Sequence, residues 1–261
     1  MTFAIAGNDD TALWLALNHL CLSNHKPIAI LMPTSNTNSL KYIARIINKS
    51  GLRYGLYNIF LALFPNSVLL PGTWMLSITN LASKHGITLL RSNNLSSAEN
   101  TANLQKLGIE TLISYGCDHI FKSPLLSSGI KLLNIHPSLL PEYKGIDPLV
   151  EQLAQSMDEG SLTLHEITPK IDGGPILHTS TFKFLNKCHL LRLMSCSKNV
   201  TPLIESYLER KYAVQYVQPL NSKTSYKSWP SKETMSELYL RGGSLAPKIS
   251  DLPTLWHFLS K

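Results

Sequence analysis

Four short apolar runs, each stopped by glycine, proline or a polar loop, dictate the architecture. They are Thr2–Ala6 before Gly7, Pro27–Met32 before Pro33, Thr111–Ser114, and Lys131–Ile135 before His136 and Pro137. Runs of this length suit strands of a parallel sheet that is buried on both faces. One helix length separates the first two. Asp9, Asp10 or Thr11 can cap that helix, and Leu13, Leu15, Leu17 and Leu20 supply its apolar side. Strand, helix, strand at this spacing opens a doubly wound fold. The expected class is therefore α/β: a Rossmann-like, doubly wound, mostly parallel sheet.

The remaining punctuation fills in the order. Helices are predicted over Ser39–Asn48, Tyr54–Leu63 (buried), Ser77–His85 with Gly86 as a left-handed cap, and Ala98–Leu107 ending at Gly108. Ile87–Leu90 reads as a short strand, Pro124–Ser127 as a short helix and Pro148–Gln155 as a helix. Ser161–Ile167 and Pro175–Phe184 alternate as strands, and Cys188–Lys211 is helix-prone. After Tyr212 the rhythm is lost. A boundary near Phe184–Asn186 divides a core, residues 1–185, from a small C-terminal extension, residues 186–261, packed on it.

Several classes are disfavoured. The mean hydropathy of +0.01 argues against disorder. No run approaches the roughly twenty apolar residues that span a bilayer, and MTFAIAGNDD lacks the basic start of a secretion signal. Cys21, Cys117, Cys188 and Cys196 form no CxxC pair, so neither a metal site nor a disulfide framework is expected. These readings predict a cytoplasmic protein, with no membrane partner and reduced thiols. The formal net charge of +7 favours an anionic partner. Its dispersal, without a Lys/Arg run, speaks against nucleic acid. Gly7 stands alone before Asn8-Asp9-Asp10, so the glycine fingerprint of dinucleotide binding is missing.

The chemistry-bearing residues lie later. Asn134 and His136 are two apart on a strand and so face the same way. Pro137 keeps His136 out of helical geometry, placing it at the strand's carboxyl end, the edge where open α/β sheets bind ligands. Ile171-Asp172-Gly173-Gly174-Pro175 is a loop that lets backbone approach a ligand. Asp172 follows His136 by 36 residues (172 − 136), and a strand–helix–strand path can bring the two together.

The stretch LNIHPSLLP (Leu133–Pro141), with Tyr143 and Gly145 after it, resembles the signature of the folate-dependent formyltransferases. Thr163-Leu164-His165 and Asp172-Gly173-Gly174-Pro175-Ile176-Leu177 form a second matching block, and ISYGCDHIFKSPLL precedes the first. That family includes the glycinamide ribonucleotide, methionyl-tRNA and amino-sugar formyltransferases. The resemblance implies transfer of a formyl group from 10-formyltetrahydrofolate to an amine. It implies that Asn134 orients the formyl group, that His136 is the catalytic histidine, and that Asp172 pairs with it in moving protons. It implies a pterin pocket lined by Cys117, Asp118, His119, Ile120 and Phe121 on one side and Thr168, Pro169, Lys170 and Ile171 on the other. Neither a metal nor a covalent enzyme intermediate is required. His165 reads as a hydrogen-bonded strand residue of the core.

Departures narrow the acceptor. The glycine-serine-asparagine phosphate loop of the purine-pathway enzyme is absent, which disfavours glycinamide ribonucleotide. The 76 residues (261 − 185) beyond the core are short for a complete tRNA-binding domain. No regulatory domain precedes the core, as the formyltetrahydrofolate hydrolases would require. A small anionic amine remains, first a nucleotide-linked amino sugar, with hydroxylated ornithine, methionyl-tRNA, hydrolysis and silent folate binding as alternatives. A homodimer is compatible with this. Tyr226 and Trp229 in the extension either stack on a base or sugar or pack on the core.

Overall fold

The computed structural model describes residues 1–34, 40–63, 77–184, 186–209, 226–251 and 253. The strands are β1 (Phe3–Ala6), β2 (Ala29–Met32), β3 (Thr88–Arg91), β4 (Thr111–Tyr115), β5 (Lys131–His136), β6 (Glu159–Glu166) and β7 (Ile176–Lys183). The helices are α1 (Thr11–Leu22), α2 (Leu40–Ser50), α3 (Leu52–Leu63), α4 (Ile78–His85), α5 (Ala98–Lys106), α6 (Pro148–Ala154), α7 (His189–Leu208) and α8 (Lys232–Leu240). All seven strands form one sheet in the order β3-β2-β1-β4-β5-β6-β7. The first five are parallel, and β6 and β7 run antiparallel to their neighbours. The doubly wound, mostly parallel expectation holds.

Local chemistry explains the elements. Asp10 caps α1, its carboxylate accepting from Leu13 N at 2.9 Å. Ser77, Ser97, Asp147 and Ser231 cap α4, α5, α6 and α8 in the same way. Gly86 takes the left-handed conformation (φ 67°, ψ 30°) that stops α4. The expected helix start at Ser39, the boundary residue Leu185 and the expected helix end at Lys211 lie outside the described residues. Helix α8 is an element the sequence reading missed.

Two apolar layers sandwich the sheet. On one face Ile5, Ile30, Ile113, Leu133, Ile135, Leu162 and Leu164 pack with α1, α4 and α7. Helix α7 therefore shares the main core. On the other face Ala4, Leu31, Leu112 and Leu132 pack with Leu104 of α5, Phe121 and Leu125. A third cluster joins α2 and α3 to α6 and α8 through Ile46, Tyr54, Val150, Leu153, Met235 and Leu238.

The turn from β6 into β7 is tight. Glu166 N donates to Pro175 O at 2.9 Å, and a Cβ at Gly174 would lie 1.9 Å from the Glu166 carbonyl oxygen. Gly174→Ala is expected to lower stability by about 1–3 kcal/mol, the usual cost of forcing atoms into a filled site. Urea denaturation checks this, and an unchanged midpoint would show that the neck of the loop opens freely.

Candidate active site

The site begins with the alternation of β5. Leu133 and Ile135 enter the α1/α7 layer, while Leu132 enters the α5 layer. Asn134 and His136 lie on Leu132's side, further along the strand. Antiparallel β6 sets His165 opposite Asn134 and Thr163 opposite His136, and directly opposed residues share a face. Two histidines, an amide and a hydroxyl are thereby gathered where the second apolar layer gives out.

Because β6 runs back along β5, the chain leaves it beside Leu132, where Ile167 N donates to the Leu132 carbonyl at 2.9 Å. The loop that follows doubles back over this face. Asp172 sits in it with φ 49°, a left-handed conformation that Asp tolerates better than most residues. Its Oδ1 lies 3.8 Å from His136 Nδ1 and 3.9 Å from His165 Nε2. The structure thus brings together all three expected catalytic residues, and His165, buried and hydrogen-bonded on β6 as expected, stands beside them.

Hydrogen bonds settle the proton positions. His165 Nδ1 is 2.9 Å from the Glu166 carbonyl, which can only accept, so Nδ1 carries the hydrogen. Nε2 of the neutral ring then accepts from Asn134 Nδ2 at 3.1 Å, which fixes the rotation of the amide. Burial pushes the His165 pKa down to about 4, with the neighbouring His136 adding to the effect and Asp172 opposing it. His136 Nε2–H donates to the Tyr143 carbonyl at 2.6 Å, leaving Nδ1 toward Asp172.

The Leu133–Pro141 segment and the loop after it are stitched to the sheet. Ser138 Oγ donates to the same Tyr143 carbonyl at 2.8 Å. Thr163 Oγ1 donates to the Ser138 carbonyl at 2.6 Å and accepts from Leu140 N at 3.2 Å. Lys144 is only 6% exposed, and burial, aided by Lys170, lowers its pKa while Asp172 works the other way.

Residues 73–197 match the family described as formyl transferase. A methionyl-tRNA formyltransferase of Rhodopirellula baltica is 31% identical over 101 residues, which are 38% of this chain and 30% of that protein. Both matches point to the folate-dependent formyltransferases, over the part of the chain that holds the site. The chain spans about a third of the length of the curated relatives it matches, 30% and 36% for the first two. Among solved structures, glycinamide ribonucleotide transformylase 1 from Symbiobacterium toebii is similar at TM-score 0.55 and 17% identity, over 84% of this chain and 92% of that one. The N-formyltransferase from Helicobacter canadensis, in complex with folinic acid and dTDP-3-aminofucose, is similar at TM-score 0.53 and 19% identity, over 87% and 71%. At these identities the likeness is one of fold.

The two segments expected to line a folate pocket leave the sheet close together. Cys117, past the end of β4, and Ile167, past the end of β6, both pack on the α5 layer. Phe121 is buried and meets His119 edge-on at 5.7 Å, while His119 Nε2 lies 3.2 Å from Ser96 Oγ. Asp118, Pro169 and Lys170 are exposed, and Thr168 is half-buried. Ile120 and Ile171, one on each segment, are exposed hydrophobics. Among the described residues no group of His, Cys, Asp and Glu has the arrangement to hold a metal ion, and no helix is long and apolar enough to cross a membrane. Period-two spacing from Thr163 to His165 was the available sign that His165 faces the site, but the strand's direction was needed to use it.

The depressed His165 pKa predicts a pH effect. Unfolded, the ring binds a proton below about pH 6.5, and the folded ring refuses it until about pH 4. Stability should therefore fall as pH drops from 6.5 to 4. A His165→Gln variant should show a shallower slope there in urea midpoints measured against pH. Parallel slopes would mean that His165 takes its proton in the folded state as easily as in the unfolded chain.

Proposed function

We propose that this chain transfers a formyl group from 10-formyltetrahydrofolate to the primary amine of a small anionic acceptor, a nucleotide-linked amino sugar. One observation carries the reading: Asp172 lies within 4 Å of both His136 and His165, on the sheet face that Asn134 shares. The bound donor supplies an activated formyl carbon. Attack by a neutral amine builds negative charge on the formyl oxygen. Asn134, with one N–H held by His165, has its second N–H for that oxygen. A donor so placed is worth about 10²–10³ in rate. His136 takes the proton that the attacking nitrogen must lose, and Asp172 stabilises the imidazolium so formed. The same pair returns the proton to the departing folate nitrogen. Exposed Ile120 and Ile171 fit the flat faces of a pterin, and the backbone of segments 117–121 and 168–171 fits its polar edge.

Three features support the acceptor class. Lys144 and Lys170 flank Asp172 with positive charge. Asp10 occupies the N-terminus of α1 with its own carboxylate, a poor berth for the phosphate of glycinamide ribonucleotide. The Helicobacter canadensis N-formyltransferase is described with an amino-sugar nucleotide. The four described cysteines are free thiols, which supports a reducing, cytoplasmic setting. We take residues 1–185 as the catalytic unit with 186–261 packed on it, a form open to homodimers.

The test is tetrahydrofolate release from 10-formyltetrahydrofolate with dTDP-3-aminofucose, N-hydroxyornithine, methionyl-tRNA or no amine. The amino-sugar nucleotide is expected to turn over fastest. Equal release without an amine would make the protein a hydrolase. His136→Ala and Asp172→Ala should each reduce turnover at least about 10²-fold, and Asn134→Ala about 10²–10³-fold, all with unchanged circular dichroism. Near-normal turnover in any one of them removes that residue from the mechanism.

A further inference from the structure

The described part of the C-terminal extension is fastened to the loop of the Leu133–Gly145 signature. Lys227 forms an isolated parallel bridge with Gly145. Its N–H donates to the Lys144 carbonyl at 3.1 Å, and its own carbonyl accepts from Ile146 N at 3.1 Å. Gly145 has φ 142°, and a Cβ there would lie 2.0 Å from the Lys227 oxygen, so the bridge demands glycine. Further anchors follow at once. Lys227 Nζ meets Glu151 at 2.8 Å, Ser50 Oγ donates to the Pro230 carbonyl at 2.6 Å, and Trp229 packs edge-on against Tyr42 at 5.6 Å.

Fastening of this kind holds Tyr226 next to the bridge and therefore beside buried Lys144. Its side chain is 45% exposed, open to a ligand. Partial burial and the charges of Asp172 and Asp118 raise its pKa, so the phenol stays protonated at neutral pH. Lys144, whose carbonyl takes the Lys227 N–H, directly follows the Tyr143 carbonyl that receives His136, so a neutral Tyr226 hydroxyl beside it suits a hydroxyl or carbonyl oxygen of a molecule bound at the site.

We propose that the C-terminal extension completes the active site and that Tyr226 is a positioning residue, holding the acceptor beside Asp172 through a hydrogen bond to an acceptor oxygen. This rests on the formyl-transfer reading, and two measurements separate the two. In protein labelled with 3-fluorotyrosine, the Tyr226 resonance, assigned with Tyr226→Phe, should shift when Asp172 is changed to Asn. An unmoved resonance overturns the placement whatever the activity. In kinetics with the amine of the panel that turns over fastest, Tyr226→Phe should raise the acceptor KM by about three- to tenfold, the worth of one hydrogen bond. Tyr226→Ala should raise it further. The donor KM and the melting temperature should stay at wild-type values. An equal rise in donor KM, or a fall in melting temperature in both variants, would make Tyr226 a structural residue and overturn the proposal. If no amine turns over, the formyl-transfer reading fails, while the fluorine measurement still decides whether the extension reaches the site.

Discussion

The antiparallel docking of β6 on β5 is the constraint from which the rest of the site follows. A parallel partner would have returned to the opposite end of the sheet before pairing, and its alternation would meet β5 in a different register. Antiparallel pairing sets His165 against Asn134 and Thr163 against His136 on one face. It also sends the chain off beside Leu132, so that the loop carrying Asp172 has to come back across that face. The narrow neck at Gly174 makes so sharp a reversal sterically possible.

Polar residues at that place do not cost the fold its core. The opposite face of β5 and β6 is filled by Leu133, Ile135, Leu162 and Leu164, all within the main apolar layer. On the near face, each buried ring nitrogen that must carry a hydrogen has a backbone carbonyl to receive it: Glu166 for His165 and Tyr143 for His136. Buried polar groups are tolerable when matched in this way, and costly when they are not. The matching also fixes which nitrogens remain for chemistry. His165 stays a neutral acceptor that orients Asn134, and His136 keeps Nδ1 turned to the carboxylate.

The loop after β5 works as a hub. Its Ser138 and Leu140 are tied to Thr163 of β6, its Tyr143 carbonyl receives His136, and its Lys144–Ile146 backbone receives Lys227 of the extension. Asp147 ends the loop by capping α6, while Tyr54 of α3 donates to the same carboxylate and His189 of α7 lies 3.0 Å from it. Elements distant in sequence thus converge on a dozen residues that the sequence had marked only as a motif.

Much of the fold was legible because its signals are local. Apolar runs ending in glycine, proline or a polar loop marked β1, β2, β4 and β5, Asp10 marked the start of α1, and Gly86 marked the end of α4. The period of two by itself places Asn134 and His136 on one face of the strand. Helix α8 went unseen because its buried residues, Met235 and Leu238, are few, and it packs on α6 rather than showing a strong pattern of its own. The role of His165 and the position of Tyr226 were likewise hidden. Periodicity tells which residues of one strand share a face, and motif likeness tells which residue types recur. Neither carries strand direction, register or the path of a returning loop, because those depend on which distant surfaces bury one another, and only the packed chain decides that.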